Sequence, residues 1–145
     1  MRQKAPKKAL SFCISGKPIA KQRPRLSRFG KAYDLQGAEK KKARLIISEQ
    51  IAEFNVLRPI GDAIAVKVTF YTSIPQSWSR KRQNANLHMP DTRRPDIDNY
   101  IKFYFDIMNG IVYEDDSQIT HLTSKKIYSD EPRVEICIKE INDDL

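Results

Sequence analysis

Apolar residues alternate with polar or small ones at Leu10, Phe12 and Ile14 and again at Ile64, Val66, Val68 and Phe70, the signature of strands with one buried face. The alternation returns at Val134, Ile136 and Ile138, and a further strand is read from Gln118 to Tyr128. Elsewhere the period lengthens. Ile47, Ile51 and Phe54 lie at helical spacing in a segment from Ala38 to about Val56, which Pro59-Ile60-Gly61 ends. Ile101, Tyr104, Phe105 and Met108 mark one face of a second helix, with Asp98 at its N-cap and Asn109-Gly110 as its stop. The order β-α-β-α-β-β predicts a single small α+β domain over residues 1–145. Its sheet is expected to be mixed or largely antiparallel, covered by two main helices.

Two polar stretches interrupt this order. The first runs from Gly16-Lys17-Pro18 through Lys21, Arg23 and Arg25 to Arg28 and Lys31, and its prolines predict a shaped loop. The second, residues 74–95, is a long connection holding Trp78, Arg80-Lys81-Arg82, His88 and Pro90. Loops of this length in a compact domain are usually functional or disordered. Trp78 reads either as an anchor pinning the loop or as a ring that stacks on an exposed base or wedges into a distorted duplex. His88 reads as a solvated or hydrogen-bonded residue.

Charge sharpens the picture. Lys and Arg total 26 against 18 Asp and Glu, a formal charge of +8 over 145 residues. Residues 1–95 hold 21 of those cations and 6 acids, and residues 96–145 hold 5 and 12, so the chain runs from about +15 to −7. The first 31 residues carry ten cations and no acid. A basic half of this kind fits a polyanion, most simply nucleic acid, lying along Lys17, Lys21, Arg23, Arg25, Arg80, Lys81, Arg82, Arg93 and Arg94. Lys40, Lys41, Lys42 and Arg44 crowd the start of the first helix, where cations oppose the macrodipole, and they read as a second phosphate-facing surface or as a solvated face.

No stretch reaches the length of a membrane span, and Met1 to Lys8 is basic with no adequate apolar segment behind it. A cytoplasmic protein is expected, with no membrane partner and with a flexible basic segment over about residues 1–9. Cys13 and Cys137 fall in strands and are expected to be buried thiols, not a disulfide.

Carboxylates stand out against the basic background. Asp96 and Asp98 are one residue apart, so an extended chain would project both to one side. Asp115 and Asp116 follow in an acidic turn, and three of these groups could converge on a hard divalent cation. Lys102, a helical turn after Asp98, would add positive charge near a phosphate. The same residues also fit a capped helix and an ordinary turn.

The run Met89-Pro90-Asp91, Arg93-Arg94-Pro95-Asp96-Ile97-Asp98-Asn99, Lys102, Asp106, Gly110 and Glu114-Asp115-Asp116-Ser117-Gln118-Ile119 resembles the RusA family of Holliday junction resolvases. The resemblance is firmest over residues 89–128 and looser at the Gly16-Lys17-Pro18 loop and the closing strand. It implies a homodimeric, Mg²⁺-dependent endonuclease, with Mn²⁺ able to substitute, that cuts four-way DNA junctions by symmetric paired nicks. It further implies that Asp96, Asp98 and Asp116 are catalytic metal ligands with Asp115 beside them, and that Lys102 is the motif lysine. Pro95 departs from the pattern by separating Arg94 from the first aspartate. Two other readings stand beside it: a nuclease for flaps or forks, and a nucleic-acid-binding protein without catalysis.

Overall fold

A computed structural model describes residues 9–23, 25–54 and 59–141. Met1 to Lys8, Val56 and the side chain of Arg25, named in the expectations, lie outside the described residues, as does the acidic tail Asp143-Asp144. The α+β class holds. Strands β1 (Ala9–Ser15), β4 (Ile64–Ser73), β5 (Ile119–Ser129) and β6 (Arg133–Glu140) form one mixed sheet in the order β1-β6-β4-β5. β6 runs antiparallel to β1 and β4, whereas β5 runs parallel to β4. A parallel pair needs a crossover, and the chain supplies one through α2 (Arg80–Asn86) and α3 (Ile97–Met108). A two-residue hairpin, β2 (Arg25–Leu26) with β3 (Ala32–Tyr33), precedes α1 (Gly37–Ala52).

One face of the sheet is buried because the alternation is strict. Leu10, Phe12, Ile14, Val66, Val68, Phe70, Val134, Ile136 and Ile138 all turn inward against α1 and α3. The helices answer with Ile47 and Ile51 from α1 and Tyr100, Phe103, Tyr104, Ile107 and Met108 from α3. Phe70 stacks on Tyr100 at 5.1 Å between centroids. Removing one such buried aromatic would cost about 3–5 kcal/mol.

Four expectations are corrected. Phe54 is exposed, because α1 ends at Ala52 before that position could complete the stripe. The buried face of α3 is centred on Phe103 and Ile107, with Ile101 and Phe105 only half-buried at its margin. The 74–95 connection contains helix α2, capped by Ser79, whose hydroxyl accepts from the Arg82 amide at 3.2 Å. Cys137 is exposed, because the register sets it opposite Ser11 on the outer face, two positions from the partner of Cys13. No helix among the described residues is long and apolar enough to cross a membrane.

Candidate active site

The segment leading into α3 is fastened to the outer edge of the sheet. His88 N donates to Tyr128 O, Tyr128 N to Met89 O and Asp91 N to Lys126 O, at 3.0 to 3.1 Å. Asp91, only 6% exposed, receives the Thr72 hydroxyl at 2.7 Å and the Arg93 backbone amide at 2.8 Å. The Arg93 guanidinium closes on the same carboxylate and also donates to Ser73 O at 2.8 Å. Burial alone would raise the Asp91 carboxyl, but the bonds from Arg93 and Thr72 outweigh it and hold the group below its usual range. From β5, Lys126 Nζ donates to the carbonyls of Arg93 and Pro95, the latter at 2.7 Å. The turn that delivers Asp96 is therefore fixed from both sides.

Asp96, not Asp98, is the N-cap of α3. Its backbone is extended, and its side chain makes no capping hydrogen bond. That carboxylate is exposed and leaves the helix amides it would ordinarily satisfy without its bond. Asp98 sits in the first helical turn, also exposed, with its carboxylate 3.6 Å from Lys102 Nζ. Both groups offer oxygen to solvent, the donor type a magnesium-class ion takes from one or two carboxylates while keeping several waters.

The second acidic pair lies at the other end of the helix. Tyr113, fully buried, places its hydroxyl 2.8 Å from Asp116 Oδ1 and 3.1 Å from Phe105 O. Burial, reinforced by Asp116, pushes this phenol far up, so it stays protonated and donates. Asp115 caps a single 3₁₀ turn, Asp116–Gln118, accepting from Ser117 N at 3.0 Å, and those bonds hold its carboxyl low. Gln118 completes the cap and reaches Ile60 O and Asp62 O.

Asp98, Lys102, Phe105 and Asn109 follow one another along a single stripe of α3. At 1.5 Å per residue, the seven residues from Asp98 to Phe105 span about 10 Å. The two pairs thus stand at opposite ends of one stripe with Lys102 between them. Among the described residues, no three His, Cys, Asp or Glu side chains gather where one metal ion could be held. Within one chain the expected convergence of three carboxylates is absent, because a rigid helix separates them.

The basic arm is brought to the acidic pair. Lys21 N donates to Asn99 O at 2.9 Å, Ile19 N to the Tyr104 hydroxyl at 3.1 Å, and Gln36 ties the arm at Ala20 O and Gln22 N. Lys21 and Arg23 are exposed there. Lys17 and Arg93 line a cleft of about 530 Å³ beyond the end of β4, with Ser73, Gln83 and Asp130. Arg80, Lys81 and Arg82 project from α2, and Arg94 from the turn before Asp96, all exposed. Arg82 stacks over Trp78 at 3.8 Å, and the indole lies 5.6 Å from Tyr128. Trp78 is therefore an anchor for its loop.

Two cations of α1 have a structural explanation. Lys40 bridges Asp34 at 2.6 Å and Asp106 at 2.9 Å, and Arg44 donates to Asp106 O. Lys41 and Lys42 remain exposed. Lys126, Tyr113 and Thr72 carried no local signal in the sequence, since each acts on a partner in another segment. Asp91 was visible only as part of the quoted motif.

A family model described as Endodeoxyribonuclease RusA matches residues 15–139. An uncharacterized Bacillus subtilis (strain 168) protein, YqaN, is 33% identical over 138 residues, covering 92% of this chain and 97% of that protein. A Lactococcus phage r1t protein named crossover junction endodeoxyribonuclease rusA is 37% identical over 82 residues, covering 54% of this chain and 55% of the phage protein.

Proposed function

The chain belongs to the RusA family of endodeoxyribonucleases, and from that premise we propose that it resolves four-way DNA junctions as a homodimer, by paired symmetric nicks. The observation that carries this reading is the exposed pair Asp96 and Asp98 at the start of α3, held there by Asp91, Arg93 and Lys126 and flanked by the strapped arm of Lys21. Asp96 and Asp98 would hold Mg²⁺, or Mn²⁺ in its place, against the scissile phosphate. When bound, the ion supplies an activated water and neutralises charge on the phosphate.

The chain's own groups do the rest. Lys102 is 60% exposed, so its ammonium can turn from Asp98 toward a phosphate oxygen and stabilise charge that grows there. Arg23, Arg80, Lys81 and Arg94 are exposed and would neutralise phosphates of the arms. Arg93 and Arg82 act mainly by positioning, since one is committed to Asp91 and the other to Trp78.

A two-fold axis crossing α3 near Lys102 would set two copies of the helix antiparallel. The Asp96 and Asp98 pair of one copy would then face the Asp115 and Asp116 pair of the other, completing two sites on opposed strands. The dimer is in this reading a condition of the site as well as of the paired cut.

The test is cleavage of an end-labelled four-way junction with Mg²⁺, Mn²⁺ or EDTA, beside flap, fork and linear duplex substrates. Symmetric nicks on the junction alone that vanish in EDTA are expected. Preferential cutting of flaps or forks would replace the resolvase reading, and tight junction binding without product under either metal would favour a binding protein.

A further inference from the structure

The β2–β3 hairpin carries an apolar tip that nothing among the described residues covers. Leu26 is 73% exposed and Phe29 85%, with Tyr33 and Leu35 also open to solvent. Single exposed apolar residues are common, but three on one small hairpin, with Leu35 just beyond it, form a surface with a use. The turn beneath Phe29 is well built. Ser27 N donates to Lys31 O at 2.7 Å, Gly30 N to Ser27 O at 3.0 Å, and the Ser27 hydroxyl accepts from the Phe29 and Lys31 amides. Gly30 takes φ +76°, which a side chain would strain, so the sequence permits the tight return that presents the ring.

The rim of the tip is basic. Arg28 and Lys31 flank the ring and are exposed, and Arg23 stands on the approach. The nearby acid, Asp34, is occupied by Lys40 at 2.6 Å. An aromatic centre with cations around it complements a nucleic acid whose bases have come apart, offering ring faces inside and phosphates outside. The hairpin also continues the strap tied to Asn99, beside Asp98. From Lys21 to Phe29 is eight residues, at most about 28 Å of chain. The ring is thereby confined to about eight base steps from any phosphate at the acidic pair, counting roughly 3.4 Å per step.

We propose that Phe29 is a wedge that enters an unstacked base step at the branch of a DNA junction, with Arg28 and Lys31 on the flanking phosphates. This rests on the nuclease reading above and supplies what the carboxylates lack, a means of telling branched from continuous DNA. A continuous duplex resists unstacking by a few kcal/mol per step, whereas a branch point has that opening already.

The experiment uses the full chain with 2-aminopurine placed either at the branch of a four-way junction or within one arm. The native protein is expected to raise the branch-point fluorescence and leave the arm signal unchanged. Phe29→Ala should abolish that rise and weaken junction binding about tenfold while linear duplex binding stays within about twofold. Phe29→Trp should retain both, and the melting temperatures of all three should agree because the ring is exposed. Replacing Arg28 and Lys31 together by Ala should weaken junction and duplex alike and flatten the salt dependence by about two.

Junction unstacking by Phe29→Ala equal to the native protein's would overturn the proposal. So would a Phe29→Ala protein that sediments as a smaller species, which would make the tip a contact between copies. Loss of binding only to phosphatidylserine vesicles would overturn it in favour of a lipid surface. If the native protein neither binds nor cuts junctions, it is the nuclease reading that fails; if it does both and Phe29→Ala behaves identically, only the wedge fails.

Discussion

Arg93 grips Asp91 through both carboxylate oxygens, Nε to Oδ1 and Nη2 to Oδ2, each at 3.1 Å. The two are neighbours in sequence, yet their bond ties the turn before α3 to the end of β4. Asp91 also holds Thr72 of β4, and Arg93 also holds Ser73 O. The end of the central strand is thereby fixed to the turn that sets Asp96 at the head of α3.

Replacing Asp91 by Asn keeps the shape and removes the charge. A hydrogen bond to a charged group contributes about 1.5–3 kcal/mol, and Arg93 is partly exposed and can regain water, so a loss of about 2 kcal/mol is expected. For a chain of this length that lowers the melting temperature by roughly 4–8 °C. Glu135→Gln, which loosens the more open Arg133 pair on the outer face, should cost less than about 1 kcal/mol. Equal losses in the two variants, measured by urea denaturation, would deny Asp91 this role.

The same pair sets an acid limit. Asp91 is held below its ordinary value in the folded chain, so its contribution is complete above the unfolded carboxylate pKa near 4 and is lost as pH falls further. The stability gap between the native protein and Asp91→Asn should be flat above about pH 5 and shrink steadily toward pH 2. Asp34 and Asp115 are lowered as well, but they belong to both proteins and cancel in the difference. A gap that widens on acidification would contradict the linkage.

Much of this was legible in the chain. The strands were, because a sheet covered on one face writes its burial as alternation at Leu10 to Ile14 and Ile64 to Phe70. Helix α2 was not, because none of its residues is buried, leaving periodicity nothing to report. Asp96 and Asp98 announced themselves by spacing, but their separation from Asp116 depends on the length and rigidity of α3. Lys126 was silent, since its carbonyl partners lie 31 and 33 residues away.

Lys126 gives a positioning test. Its ammonium holds the carbonyls of Arg93 and Pro95, the latter in the peptide that leads into Asp96. Lys126→Met should lower kcat by about ten- to a hundredfold, the range seen when support behind a ligand is lost, with KM and junction affinity nearly unchanged. Lys126→Arg should recover part of the rate, because a guanidinium can still donate to both carbonyls. A purely structural lysine would instead shift stability and binding together.

The placement of the two acidic pairs makes the last prediction. Asp98→Asn alone should abolish cutting while junction binding stays intact or tightens, since one negative charge facing a phosphate is removed. Asp116→Asn should be equally inactive. If each site draws one pair from each copy, a mixed dimer of the two variants has one site with both substitutions and one with neither. Co-expressed variants should then nick one strand of each junction, with about a quarter of native sites active when subunits pair at random. If instead each chain completes its own site, both sites of the mixed dimer carry a lesion and nothing is cut. Strand-specific labels on the junction separate these outcomes, and sedimentation confirms that mixed dimers form. Because Asp98 and Phe105 lie about 10 Å apart on a rigid helix, restored nicking on a single strand is the expected result.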